Sequence, residues 1–341
     1  MKKQIIIAAC LLLFCAVAHS QENSIYKIQD KIKLPGNGGW DYLTSDDATS
    51  RLFVSHGTQV QVVDTKTLKL IGTIDSLNGV HGIALTPFNK GFITNGKDSS
   101  VTVFDLTTYK KTGRIKVTGA NPDAILYDPF SKQIFVYNGK SSNATVIDPN
   151  SNKIVATISL DGKPEFSVTD GNGKIFVNIE DKSEISQIDA KTLKVVNTWP
   201  LKPGVEPSGL AIDTTTHRLF SVCDNKLMVV INADNGKVMG TAPIGEGVDG
   251  VAFDPFYLRI LSSNGEGTLT IIPERDGDIY TVDDNLKTQR GGRTIAIDKL
   301  TNHIYIPTAE FEPAPKPTAE NPHPRPALKP GTFVILEIVA K

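Results

Sequence analysis

Seven polar residues recur along the chain at intervals of 40 to 44 residues, and together they could form one chemical site. They are Asp41, His81, Asp123, Glu165, Ser208, Asp249 and Arg293. If they meet, crowded carboxylates raise one another's pKa values, whereas a nearby guanidinium lowers the pKa of any acid it touches. A concave ring of this composition favours a cationic or polyhydroxyl ligand, or a divalent cation held through oxygen ligands. The alternative is that these side chains only solvate a water-filled channel.

A second set of residues follows the first by 14 or 15 positions, and it comprises His56, Asn95, Asn138 and Asn264. Each asparagine precedes a glycine, and Asn-Gly pairs are typical of tight turns, so a role in the turn is the first interpretation and a role in ligand binding the second. His56 is less easily explained by a turn. With His81 and Asp41 it would supply a transition-metal site if the three side chains met. No closely spaced His or Cys motif supports that site, so the sequence leaves open whether a metal is bound.

The spacing of these residues belongs to a structural repeat. Residues 121–160 contain four short runs of β-branched and aromatic residues separated by turn signals: Ala124–Tyr127, Gln133–Tyr137, Ala144–Ile147 and Lys153–Leu160. The first run of each copy ends at Asp46, Thr86, Asp128, Asp170, Asp213, Asp254 or Asp298. The third run ends at Asp64, Asp105, Asp148, Asp189, Asn232 or Pro273, in step with the first. Four strands in about 40 to 45 residues predict the blades of a β-propeller.

The repeat count predicts an all-β fold, a seven-bladed β-propeller of four-stranded antiparallel blades within a single domain, residues 21–341. The last copy has only three strands, Thr294–Ile297, His303–Pro307 and Thr332–Ile338. We therefore expect the N-terminal strand at residues 26–34 to complete blade seven, with Ile28 and Ile32 against Phe333 and Ile335. Joining the chain ends removes free sheet edges. Because the first strand of a blade lies nearest the axis, the seven polar residues should surround one mouth of the channel.

An insertion at residues 309–331 interrupts blade seven between its second and third strands. Its seven prolines remove amide donors and restrict the backbone, so the sequence predicts an extended, polyproline-like segment rather than sheet. By its position it should emerge on the face that carries the polar ring. Phe311, Glu312, His323 and Arg325 could then face a ligand. The alternative is that the segment forms a ledge for a protein partner.

The first 20 residues are typical of a secretory signal peptide. Lys2 and Lys3 precede an apolar run, and small residues follow at positions 16, 18 and 20. Removal of this segment changes the formal net charge from −1 to −3 and leaves Cys223 as the single cysteine. The sequence thus predicts a periplasmic or extracellular protein, with no transmembrane segment after processing and no internal disulfide.

The repeat resembles the YVTN repeat. Its segments Leu52–Ser55 (LFVS), Phe92–Asn95 (FITN) and Phe135–Asn138 (FVYN) are each followed, after a polar loop, by VVD, VFD or VID and a Lys-rich strand. This likeness places the chain beside the YncE-like secreted β-propellers, and it covers Tyr26 to Lys341. Related propellers include binding proteins, lactonases, lyases and propeller domains of redox enzymes, so the likeness implies the fold and not one activity.

The expected function is binding of a small ligand, a cation or a partner protein at the channel mouth. An alternative is an enzyme of lactonase or lyase type, with His81 as acid or base and Glu165 or Asp249 holding a metal or polarising the substrate. A third is an accessory to a periplasmic redox enzyme. Nucleic acid is not an expected partner, because the chain is mildly acidic and its lysines are scattered over outer strands.

Overall fold

The computed structural model describes residues 24–275, 277–318 and 324–341. Within these ranges the chain forms seven four-stranded antiparallel sheets, which confirms the predicted seven-bladed propeller. Apart from strands, these ranges contain two short 3-10 turns, Asp47–Thr49 and Glu180–Lys182. No helix in them has the length and apolar character to span a membrane. The signal segment predicted for residues 1–20 lies outside the described residues.

Blades one to three contain strands β2 to β13, numbered along the chain. Blade one has β2 (Trp40–Asp46), β3 (Arg51–His56), β4 (Gln59–Asp64) and β5 (Lys69–Ile74). Blade two has β6 (Val80–Leu85), β7 (Lys90–Asn95), β8 (Ser100–Asp105) and β9 (Lys111–Lys116). Blade three has β10 (Pro122–Asp128), β11 (Gln133–Asn138), β12 (Asn143–Asp148) and β13 (Lys153–Ser159).

Blades four to six repeat this order. Blade four has β14 (Pro164–Thr169), β15 (Lys174–Ile179), β16 (Glu184–Asp189) and β17 (Lys194–Pro200). Blade five has β18 (Pro207–Asp213), β19 (Arg218–Cys223), β20 (Leu227–Asn232) and β21 (Val238–Pro243). Blade six has β22 (Val248–Asp254), β23 (Arg259–Asn264), β24 (Thr268–Pro273) and a shorter outer strand, β25 (Asp284–Lys287).

Blade seven combines the two ends of the chain. Its strands are β26 (Ala296–Asp298), β27 (His303–Thr308), β28 (Val334–Ala340) and, from the N-terminus, β1 (Tyr26–Lys33). Ile32 lies opposite Ile335 as expected, but Ile28 lies opposite Ile338 and not Phe333, so that detail of the prediction was wrong. A bulge between Ile28 and Asp30 shifts the register there.

The blades are held together by apolar side chains between their faces. Five second strands carry a phenylalanine at the same position, and none of these rings is exposed: Phe53, Phe92, Phe135, Phe176 and Phe220. The outer strands are lysine-rich and largely exposed, as the pattern of β13 illustrates. The acids that end the third strands accept hydrogen bonds from backbone amides of the turn that follows. Asp64 accepts them from the amides of Lys66 and Thr67, at 3.1 and 2.7 Å.

Closure of the ring predicts a cost for truncating β1. Ile32 is 5% exposed and packs in one cluster with Leu52 and Val54 of blade one. We expect Ile32→Ala to lower the free energy of unfolding by about 2–4 kcal/mol, because it leaves a cavity at the seam. Lys31→Ala, on the exposed side of the same strand, should change it by less than about 0.5 kcal/mol. Thermal unfolding measures both, and equal effects would argue against closure as the stabilising element.

Candidate functional site

The seven predicted ring residues lie where the first strands begin. Six are in the strands themselves, β2, β6, β10, β14, β18 and β22, and Arg293 lies three residues before β26. The first strands are the free inner edges of their sheets and adjoin one another around the axis, with β2 also beside β26. Equivalent positions on seven such strands therefore surround one opening.

Small residues let these strands approach closely. The position after each ring residue is glycine in blades two, five and six: Gly82, Gly209 and Gly250. A Cβ atom on Gly209 would lie 2.9 Å from the Cα of Gly250, and one on Gly250 would lie 3.0 Å from the backbone nitrogen of Ile295. Any larger side chain would push neighbouring blades apart, so glycine at these positions narrows the ring.

Buried polar groups on the second strands fix the backbone of the ring residues. The Thr94 hydroxyl donates to the Asp123 carbonyl at 2.6 Å. In the same way the Ser263 hydroxyl donates to the Arg293 carbonyl at 2.7 Å. The Asn178 amide donates to the Ser208 carbonyl at 2.9 Å. Each bond runs from one blade to the next, so the second strands position the ring across the blade boundaries.

The centre of the ring is His81 between two carboxylates. Its Nδ1 lies 2.6 Å from Asp41 Oδ2 and 3.5 Å from Asp123 Oδ1. Asp123 Oδ1 is buried and has no hydrogen-bond donor among the described residues. One ligand atom from each of the three residues lies within 4.8 Å of the others. We call these three residues the Asp41–His81–Asp123 triad.

Three of the remaining ring residues, Glu165, Asp249 and Arg293, form ion pairs. Lys163, which sequence reasoning missed, lies 2.6 Å from Glu165 and also pairs with Glu180. Arg293 pairs with Asp249 and lies 3.9 Å from Asp41. Glu165 and Asp249 therefore have cationic partners. The enzyme alternative, in which either acid would hold a metal or polarise the substrate, stays a prediction.

Ser208 is the ring residue that stays apart from this network. Its hydroxyl donates to the Val248 carbonyl at 3.3 Å, across the boundary between blades five and six. It thus serves the backbone and contributes no charge to the opening.

Tyr42 forms the floor of the ring. It is 9% exposed, and it crosses from blade one to pack against Phe166 of blade four, with ring centroids 5.3 Å apart. Burial and the nearby Asp123, Asp41 and Glu165 carboxylates raise the pKa of its hydroxyl well above the usual value. The protonated hydroxyl is therefore available as a donor beneath the acids.

The second predicted ring does not join the first. Asn95, Asn138 and Asn264 are at most 1% exposed. Their amides donate within their own blades, for example from Asn138 to Asn143 Oδ1 at 2.7 Å and from Asn264 to Thr270 Oγ1 at 2.9 Å. They therefore stabilise turns, the structural alternative that Asn-Gly sequences suggested.

His56 is a core residue rather than a partner of His81. It is 1% exposed, its ring stacks on Phe333 at 3.9 Å between centroids, and its Nδ1 lies 3.0 Å from Gln61 Oε1. The proposed grouping of His56, His81 and Asp41 was wrong, because Asp123 and not His56 is the third residue near His81. A bulge interrupts the strand register between Pro122 and Ile125, where Asp123 lies, and spacing alone does not show this feature.

The insertion at residues 309–331 is paired at its base. Phe311 and Leu328 form an isolated antiparallel bridge, and the backbone N–H of Glu312 donates to the Ala327 carbonyl at 2.8 Å. The prediction that no part of it pairs as sheet was therefore wrong at these positions. Phe311 packs edge-on against Trp40, the neighbour of Asp41, with centroids 6.3 Å apart. The base of the insertion thus lies beside the channel mouth, whereas His323 lies outside the described residues.

Comparisons with known proteins give one matching family and a similar solved structure. A family model described as a domain of unknown function, DUF5074, matches residues 38–211, just over half of the chain. The chain belongs to the DUF5074 family. A search of the curated proteins found no match. Among solved structures, a chain of Kuenenia stuttgartiensis hydrazine synthase is similar with a TM-score of 0.71 and 18% identity.

The similarity to hydrazine synthase covers 80% of the present chain and 94% of the other. At this identity it shows a shared β-propeller fold and nothing about activity. The resemblance of this DUF5074 protein to the YncE-like propellers stays a prediction.

Burial and crowding shift the pKa values of two ring acids, Asp123 and Glu165, upward. Burial, with the Asp41 carboxylate, raises the pKa of Asp123 to about 6, although His81 acts against this shift. Burial and the Asp123 carboxylate raise the pKa of Glu165 to about 8, against the lowering effect of Lys163. Burial lowers the pKa of His81, but the bond to Asp41 and the charge of Asp123 raise it more. The ring therefore holds protons that the same residues would lose in water.

These shifts predict how stability depends on pH in metal-free protein. The folded state binds more protons than the unfolded chain between about pH 4 and pH 8, so the free energy of unfolding falls as pH rises through this range. We expect Asp123→Asn to remove part of this dependence and to stabilise the protein by about 1 kcal/mol more at pH 8 than at pH 5, because the folded carboxyl loses its proton in this range whereas the unfolded one is already ionised.

Thermal unfolding in chelator at the two pH values measures this difference. Asp64→Asn is the control, because backbone hydrogen bonds lower the pKa of Asp64 and it stays ionised throughout the range. That variant should keep the wild-type pH dependence. An Asp123→Asn profile parallel to the wild-type profile would contradict the assignment of raised pKa values to the ring.

Proposed function

We propose that this chain is a secreted propeller that binds one divalent cation at the Asp41–His81–Asp123 triad and presents it to a small polar ligand at the channel mouth. The observation that carries the proposal is the approach of two carboxylates to one nitrogen of His81, with Asp123 Oδ1 buried and lacking a donor. A buried carboxylate oxygen without a donor is costly unless a cation or a proton reaches it.

The donor set fits a first-row divalent cation. Imidazole nitrogen and carboxylate oxygen together suit Zn²⁺ or Mn²⁺ better than Ca²⁺ or Mg²⁺, which prefer oxygen ligands alone. Around Zn²⁺ such ligand atoms lie ~3.4 Å apart, given bonds of ~2.1 Å. The distance of 3.5 Å from His81 to Asp123 is close to that value, and the 2.6 Å hydrogen bond to Asp41 would widen as a cation replaces its proton.

The charge balance supports a cation as well. Arg293 and Lys163 are already paired with Asp249, Glu165 and Glu180, so the triad retains two carboxylates facing one histidine. Cation binding requires the ligands to lose their protons, and it therefore releases protons from Asp123 and His81, whose pKa values are raised. The affinity should increase as pH rises from 5 to 7.5.

Three protein ligands leave coordination positions open toward solvent. Open positions are typical of sites where a metal also contacts a substrate or ligand. A groove of about 600 Å³ lies on the same face, between the base of the insertion and residues Gln289 and Arg290. A small polar molecule bound to the cation would reach this groove, which gives the insertion a role in ligand contact.

Titration calorimetry of chelator-treated protein with Zn²⁺ tests the proposal. We expect one ion per chain, with proton release that varies with the ionisation enthalpy of the buffer. Asp123→Asn and His81→Ala should each weaken Zn²⁺ binding by about 10-fold or more, because each removes a ligand. Manganese and calcium titrations rank the cations.

The matched control is His217→Ala, which removes another histidine that bonds a carboxylate. His217 Nδ1 lies 2.8 Å from Asp234 Oδ2, but this pair is exposed and belongs to the opposite face. The control variant should bind Zn²⁺ as the wild type does. The proposal fails if wild-type protein binds no divalent cation, or if His217→Ala and His81→Ala weaken binding equally.

A further inference from the structure

Most of the side chains that line the channel behind the polar ring are apolar. A cavity of about 500 Å³ is lined by the inner strands of all seven blades. Its wall is formed mainly by aliphatic side chains, including Leu85, Ile125, Val168, Ile212 and Ile297. Four of its lining residues are polar or charged, Thr44, Ser45, Asp47 and Lys299, and they come from blades one and seven.

The cavity is separated from the polar ring at one end. Phe166 lines it and packs against Tyr42, the residue that forms the floor of the ring. At the other end it reaches residues that immediately precede or begin the turns between first and second strands, such as Tyr127 and Asp47. The cavity therefore opens on the face opposite the triad.

The rim of that opening exposes large apolar side chains in a repeating pattern. Two residues after the first-strand markers Thr86, Asp128, Asp254 and Asp298 lie Phe88, Phe130, Phe256 and Leu300, which are 36–72% exposed. Phe88 contacts Tyr127 of the cavity wall, with ring centroids 6.4 Å apart. At Phe88 the apolar surface therefore continues from the rim into the channel.

We propose that the channel is a second binding site, which takes an uncharged, largely apolar small molecule entering past the rim of Phe88, Phe130, Phe256 and Leu300. The cavity has the volume and the apolar lining of a small-molecule site. The inner edges of the first strands add backbone groups that could orient a ligand with a few polar atoms. A membrane or a second protein would cover the rim, but neither would fit between the seven inner strands that line the channel.

The test uses the fluorescent probe N-phenyl-1-naphthylamine with full-length mature protein. We expect saturable binding of one probe per chain. Ile125→Asn and Val168→Asn, from separate blades of the channel wall, should each weaken it by about 10-fold, because each places a polar group against the bound molecule. Ile154→Asn, on the exposed outer strand of blade three, is the matched control and should leave the affinity unchanged.

A double variant of the rim, Phe256→Ser with Leu300→Ser, distinguishes binding inside the channel from binding to the exposed rim. It should keep the one-to-one stoichiometry and change the affinity by less than about threefold, since both side chains are mostly exposed. The proposal is overturned if the wild type shows no saturable binding, or if several probes bind per chain. It is also overturned if the rim variant abolishes binding, because the probe would then bind to the exposed apolar rim and not in the channel. If the channel variants do not fold, the stoichiometry of the wild type and the affinity of the rim variant test the proposal.

Discussion

The pairing of the N-terminal strand with the last strand of the chain is the constraint on which the rest of this structure depends. Each four-stranded sheet has two apolar faces and can bury them only between two neighbours, so an open array would leave a face exposed at each end. By placing Ile32 opposite Ile335 in blade seven, β1 removes those ends. Closure also sets the distance from every first strand to the axis, and therefore which side chains can meet there.

Close approach at the axis produces two different environments in one channel. Glycine at positions 82, 209 and 250 allows first strands to contact one another near the ring face, and Gly82 does so directly beside Asp123 of the triad. Crowding in a partly buried site raises carboxyl pKa values and leaves one buried oxygen without a donor. Toward the other face the same strands carry aliphatic residues, and Tyr42 with Phe166 separates the two regions. One polar and one apolar site can thus coexist on one axis.

The sequence did not predict several of the side-chain contacts that form the site. Lys163 lies two residues before Glu165, but it has no counterpart in the repeat that would have marked it. The sequence did contain a signal for Tyr42. The equivalent positions in the other blades hold mostly small residues, so a tyrosine at this position has to extend into the channel. The role of the second-strand groups Thr94, Asn178 and Ser263 depends on bonds between blades, so the pattern within one repeat could not reveal it. His56 was misjudged because its stacking on Phe333 joins distant parts of the chain.

By itself the sequence determined the number of blades, the strand order, the use of β1 to complete blade seven and the column of ring residues. These follow from period and hydrophobic pattern, which are local properties repeated seven times. Only the tertiary structure decided that His81 lies between Asp41 and Asp123, that Glu165 and Asp249 are paired with Lys163 and Arg293, and that mainly aliphatic side chains line the channel behind them. The reason is geometric: equal spacing along the chain places residues on one ring, but the bulges, rotamers and blade contacts determine which neighbours come within bonding distance.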